Sequence, residues 1–75
     1  MPYIAIKAYP RDPATAQKLV EEINRTVQNV LGCKPEALTI AFEEVAPADW
    51  KEKVEEALVA PDMKHVMIHK GLKRY

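Results

Sequence analysis

Apolar and polar positions alternate at the start of the chain. In the run YIAIKAY, Ile4, Ile6 and Ala8 fall on one side and Tyr3, Ala5, Lys7 and Tyr9 on the other. A period of two predicts a strand. The run PRDP ends it. Asp12 followed by Pro13 predicts a helix start, with the acid as cap and proline at the first helical position, where its missing N–H leaves nothing unpaired. Ala16, Leu19, Val20, Ile23, Val27, Val30 and Leu31 then recur at spacings of three and four, and Lys18, Glu21, Glu22, Arg25 and Gln28 fill the other face. That is an amphipathic helix of about five turns. Gly32 supplies its stop, with Pro35 just beyond. ALTIAFEEV returns to period two, setting Leu38, Ile40 and Phe42 against Thr39, Ala41 and Glu43.

Strand, long helix, strand predicts a β-α-β unit with parallel strands and a right-handed crossover. After Pro47, ADWKEKVEEAL carries Trp50, Val54, Ala57 and Leu58 at helical spacings, which predicts a short helix. PDMKHVMIHK reads two ways: as further helical turns before Gly71, or, through HVMIH, as a short strand. No repeat, low-complexity tract or linker interrupts the chain. The expected class is α/β (α+β), one domain of residues 1–75: parallel strands, a long helix and short C-terminal helices.

Seventy-five residues enclose only a small core, and domains of this size need a staple or a partner. Cys33 is the single cysteine, so the chain has no internal disulfide and no zinc pattern. A two-stranded sheet alone leaves its edges open and one face bare. Together these ask for an oligomer in which a second subunit completes the sheet. Eleven basic and eleven acidic residues balance, which leaves no electrostatic footprint for nucleic acid. No apolar run approaches the ~20 residues of a membrane span. The start lacks the basic and apolar regions of a signal peptide, and a free cysteine agrees with a reducing compartment. The expectation is a cytoplasmic protein that binds neither nucleic acid nor membrane.

The one chemically unusual feature lies at the start, MPYIAIKAYP. Proline is tolerated at the first residue of a strand. With Met1 removed, Pro2 becomes a free secondary amine on a rigid element, a titratable base that a flexible lysine would not orient as well. Met-Pro, an immediate strand, an arginine at its end, one long amphipathic helix and a second strand together resemble the 4-oxalocrotonate tautomerase family, over roughly residues 2 to 50. The tail PADWKEKVEEALVAPDM looks like that of the slightly longer bacterial members.

The resemblance implies a fold and a chemistry. Longer members form dimers and shorter ones hexamers, trimers of dimers; the tail here favours a homodimer. Pro2 would be the catalytic base and then the acid, moving a proton between enol oxygen and carbon of a 2-oxo acid such as phenylpyruvate enol or 2-hydroxymuconate. Arg11 lies within one position of the family's carboxylate-binding arginine. Trp50 falls where members place an aromatic residue that keeps the site apolar. Many members carry a further arginine early in the second strand, where this chain has Thr39, and that departure favours a monoacid over a dicarboxylate. No metal or organic cofactor is implied, because the substrate's carbonyl is the electron sink.

A general base works best with a pKa near the working pH. A terminal amine in an apolar pocket titrates lower than in water, because desolvation penalises the charged form. Ile4, Phe42 and Trp50 are the expected walls, and Arg11 the neighbouring cation whose planar fork suits a carboxylate. Each residue also has a plainer role open to it: Arg11 as a solvated charge or an acid's partner, Trp50 as a core or interface anchor. Glu43 and Glu44 are adjacent in a strand and point to opposite faces, which argues against a dyad. His65 and His69 stand four apart, a ligand spacing on a helix, without a third ligand. Cys33, past a helix end, reads as inert. Two alternatives stay open: a non-catalytic oligomeric binding protein of the same fold, and a proline-based dehalogenase or decarboxylase.

Overall fold

A computed structural model describes all 75 residues, which fall into two compact units, Met1–Val45 and Ala46–Tyr75. The first holds strand β1 (Tyr3–Ala8), helix α1 (Pro13–Leu31), a single 3₁₀ turn (Pro35–Ala37) and strand β2 (Thr39–Glu44). The strands pair in parallel, Tyr3 opposite Thr39 through Ala8 opposite Glu44. Hydrogen bonds extend the ladder at both ends. The Thr39 N–H donates to the Pro2 carbonyl at 3.2 Å, and the Val45 N–H to the Ala8 carbonyl at 2.9 Å. The β-α-β unit read from the sequence is thus present.

The helix begins and ends where its signals lie. Asp12 has extended backbone angles, φ −65° and ψ 151°. Its Oδ2 accepts the Thr15 N–H at 3.1 Å and its Oδ1 the Thr15 hydroxyl at 2.7 Å. Pro13 follows at the first helical position. At the other end Gly32 takes φ 67° and its N–H reaches the Gln28 carbonyl at 2.9 Å, a left-handed cap that favours a residue with no Cβ.

Alternation sorts the sheet's two faces. Ile4, Ile6, Ile40 and Phe42 are half-buried and share a face; Phe42 lies in a groove with Ala16, Gln17, Val20 and Glu21, so this face looks at α1. Tyr3, Ala5, Thr39 and Ala41 are exposed on the opposite face. There Lys7 and Glu43, directly opposite in register, form an ion pair; exposed pairs contribute at most about 1 kcal/mol. The expected apolar face of α1 is only partly covered. Ala16, Val20, Ile23 and Val27 are half-buried, whereas Leu19, Val30 and Leu31 are exposed. For Val30 and Leu31 the reason is length. Nineteen helical residues span about 28 Å at 1.5 Å each, and six strand residues about 20 Å. The last turn overhangs the sheet.

The second unit departs from the expected short α-helix. A 3₁₀ turn (Pro47–Asp49) leads into nine residues wound as a π-helix (Lys51–Val59), the Ala60 N–H reaching back five residues to the Glu55 carbonyl. A wider turn rotates the apolar face. Val54 is buried and Val59 half-buried, but Ala57 and Leu58, expected on that face, are exposed. A 3₁₀ stretch kinked at Asp62 (Ala60–His65) follows. The ambiguous tail then uses both of its readings. Its helical turns give way to a hairpin of β3 (Ile68–His69) and β4 (Leu72–Lys73). Lys70 and Gly71 join the strands with φ 51° and 83°, the two positive values a type I′ turn requires. Arg74 ties the hairpin down. Its backbone N–H donates to the Met67 carbonyl at 2.7 Å, its Nε to the Val66 carbonyl at 2.9 Å and its Nη2 to the Met63 carbonyl at 3.2 Å.

Two outcomes test these local devices. The Thr15 hydroxyl, then the Thr15 N–H, hold the Asp12 carboxyl below its ordinary value of 3.8. A depressed folded-state pKa gives stability that is present above the unfolded value and lost as pH falls through the folded one. Asp12→Ala therefore lowers the thermal midpoint by several degrees at neutral pH and flattens the acid side of the stability profile below about pH 4; Asp12→Asn retains a capping oxygen and most of the midpoint. Arg74→Ala frees the Met63 and Val66 carbonyls. Amide exchange then speeds up across residues 66–73 and stays unchanged across residues 13–31.

Candidate active site

Pro2 sits at the head of β1, half-buried, with its carbonyl fixed by the Thr39 N–H. Its nitrogen side leads only to Met1, which is 99% exposed. One end of the residue is held by the sheet and the other opens to solvent. Arg11 follows the far end of β1. Its backbone N–H donates to Glu44 Oε2 at 2.9 Å, which pins the segment between strand and helix. Its guanidinium makes no ion pair, so the Arg11 side chain is not consumed by a neighbouring acid.

The parallel register keeps these two residues apart. Pro2 lies just before the pair Tyr3–Thr39 that opens the register and bonds to Thr39, and Arg11 lies beyond the pair Ala8–Glu44 that closes it and bonds to Glu44. Six extended residues lie between them, which at about 3.3 Å each amounts to roughly 20 Å. Within one chain the Arg11 fork does not reach the Pro2 nitrogen. Two of the expected walls, Ile4 and Phe42, line the helix side of the sheet. Alternation puts Ile4 on the same side as Pro2, and Phe42 pairs with Ile6, four residues after Pro2. Ile4 and Phe42 are both half-buried against that side. Trp50 is half-buried in the wall of a cavity of about 340 Å³ built wholly within residues 46–75, with Val54, Glu55, Val59, Ala60, Met63, His69 and Lys70.

The remaining candidates take structural partners. Glu43 pairs with Lys7, and Glu44 accepts from the Arg11 backbone. His65 Nδ1 lies 2.6 Å from Asp62 Oδ1 on the kinked turn, whereas His69 is on β3. The four-residue spacing therefore does not put the two imidazoles on one helix face. Cys33 is half-buried and unpaired.

No protein-family model matches the chain, but individual proteins do. A Tautomerase PptA of Cronobacter sakazakii (strain ATCC BAA-894) is 34% identical over 65 residues, 84% of this chain and 86% of that protein. The Tautomerase PptA of Escherichia coli O139:H28 (strain E24377A / ETEC) is 30% identical over 73 residues, 95% of this chain and 96% of its own. That of Pectobacterium carotovorum subsp. carotovorum (strain PC1) is 29% identical over 65 residues. The chain belongs to the 4-oxalocrotonate tautomerase family. Relatives of this likeness support a tautomerase-type function and place the protein with the isomerases.

The 73-residue match covers 95% of the chain and so takes in both units. Thr39, singled out from sequence only as a departure, is the residue whose backbone holds Pro2. The signal was positional: the first residue of a second parallel strand lies beside the start of the first. Val54 was read as part of the helix's apolar face, but Val59 escaped, because a 3.6-residue period selects Ala57 and Leu58 where the π-helix turns Val59 inward. No helix is long and apolar enough to cross a membrane.

Proposed function

We propose that the protein is a cofactor-independent keto–enol tautomerase whose base is Pro2, made amino-terminal by removal of Met1. The observation that carries this reading is the setting of Pro2. It is fixed through its carbonyl at the strand head, and its nitrogen side is open to processing and to substrate. The free amine takes the hydroxyl proton of the enol. The O–H electron pair becomes the carbonyl, the alkene pair moves to carbon 3, and that carbon collects a proton from the prolinium. Nothing is oxidised or reduced, and the base is regenerated. The substrate class is the enol of a 2-oxo acid, phenylpyruvate enol before 2-hydroxymuconate, because Thr39 offers no second cation.

The roughly 20 Å between Pro2 and Arg11 in one chain gives the proposal its quaternary form. Arg11 of one subunit serves Pro2 of another, supplying a planar fork for the carboxylate and charge for the developing enolate. Sparse burial supports a partner. Val45 and Val54 are the only buried residues, while Tyr3, Val30 and Leu31 are 68%, 77% and 64% exposed. The helix must return to the start of β2, so its bare last turn is at the Pro2 end of the sheet. A second subunit over that end would desolvate the amine and lower its pKa toward neutrality. We take the assembly to be a homodimer; the unpaired Cys33 is in keeping with a cytoplasmic location.

Ketonisation of phenylpyruvate enol, on protein whose mature terminus is confirmed by mass, tests the chemistry. Pro2→Ala loses at least about tenfold in kcat/KM, and equal rates would remove Pro2 from the reaction. Arg11→Ala raises KM. Unfolding and refolding a one-to-one mixture of the two variants restores about a quarter of the wild-type rate, the statistical share of sites with one intact copy of each residue in a two-fold dimer. A mixture no more active than its components would place the two residues in one chain's site.

A further inference from the structure

Glu44 closes β2, opposite Ala8. The backbone that carries it is anchored. The next residue, Val45, donates its N–H to the Ala8 carbonyl at 2.9 Å and is one of the two buried residues, 7% exposed. Alternation along β2 puts Glu44 on the helix-facing side with Ile40 and Phe42, while Glu43 faces the other way and pairs with Lys7. Glu44 therefore stands on the side of the sheet that α1 covers. There its Oε2 accepts the Arg11 N–H at 2.9 Å, across 33 residues of sequence.

Residues 9–12 carry the chain from β1 to α1. Pro10 has no N–H to give, and the Asp12 carboxyl is committed to Thr15 at the helix cap. The bond to Glu44 ties the middle of the segment to the sheet. This has two effects on the arginine. Its long side chain starts from a fixed backbone, so its fork samples less space and loses less freedom on taking a carboxylate. Two acids that would otherwise compete for that fork are also engaged elsewhere, Asp12 by Thr15 and Glu44 by the Arg11 N–H. The guanidinium makes no ion pair with either.

We propose that Glu44 is a positioning residue: by holding the Arg11 backbone it aims the guanidinium that takes the substrate carboxylate. This rests on the tautomerase reading above, in which Arg11 serves Pro2 of another subunit. Glu44 itself touches neither the substrate nor the reacting atoms. It acts through the reach of its oxygen and not through its charge, so a neutral acceptor of equal length replaces it and a shorter acid does not.

Steady-state ketonisation of phenylpyruvate enol, on protein with a mass-confirmed mature terminus, tests this. Glu44→Ala should raise KM about threefold to tenfold, the loss expected of one hydrogen bond, with kcat within about twofold of wild type. Glu44→Gln keeps an oxygen at the same reach and should return KM to within about twofold of wild type. Glu44→Asp keeps the charge, lacks one methylene and should behave as Glu44→Ala; it carries the same test if Glu44→Ala does not fold. In the Arg11→Ala background Glu44→Ala should change KM no further, because a residue that acts only through Arg11 then has nothing to act on. The proposal is overturned by Glu44→Ala and Glu44→Asp with wild-type KM, by a Glu44→Gln no better than Glu44→Ala, by a loss confined to kcat, or by additive KM effects in the double variant. An inactive wild type, or Arg11→Ala with unchanged KM, removes the tautomerase reading and this one with it. A raised KM in Arg11→Ala beside wild-type values in the Glu44 variants removes this one alone.

Discussion

The parallel pairing of two short strands is the constraint on which residues 1–45 depend. One register, Tyr3 opposite Thr39 through Ala8 opposite Glu44, decides which residues share a face, where the helix must start and return, and which residues stand at opposite ends. It fixes Pro2 by its carbonyl and leaves the nitrogen side outside the ladder. The same register sends Arg11 to the other end. A one-residue slip of either strand would turn its apolar set away from the helix, so the apolar pattern that folds the unit also sets the distance between Pro2 and Arg11.

That distance bears on the proposed assembly. A single copy buries two valines and leaves the last turn of α1 uncovered. A partner would answer both deficits at once, covering apolar surface and bringing an arginine to a proline that its own strand holds away. Stability and chemistry then call for the same contact. An isolated subunit of this kind would be a poor catalyst for the same reason that it is a poorly enclosed fold.

Much of the first unit was legible in the sequence because its signals are local. Asp12-Pro13 marks a helix start through one side-chain acceptor and one absent donor, and Gly32 marks the end through a backbone angle. Period-two runs located both strands. The distance from Pro2 to Arg11 was implicit in the length of the strand between them, yet it emerges only when the run YIAIKA is taken as one straight object. For Ile4 and Phe42 alternation told that they share a face and left open that this face meets the helix. In the second unit the local signal itself misled. Trp50, Val54, Ala57 and Leu58 match a 3.6-residue period, and the chain there closes hydrogen bonds over five residues instead. The hairpin was half visible: HVMIH carries the apolar residues of a strand, but Lys70 is not the asparagine or aspartate that usually announces a type I′ turn before glycine.

A π-helix departs from ideal winding, and such segments are frequent at functional sites. Here the consequence is concrete. The wider turn is what points Val59 the same way as Trp50, Val54 and Met63, and so creates an apolar concavity where an ordinary helix would present Leu58. Holding it open requires something on the far side, and the hairpin, latched by three hydrogen bonds from the single residue Arg74, supplies that wall. An irregular helix, a left-handed turn at Lys70 and one arginine thus act as a set. Removing any one leaves the other two without a shared purpose, which is the argument for reading the cavity as built and not as a gap left by loose packing.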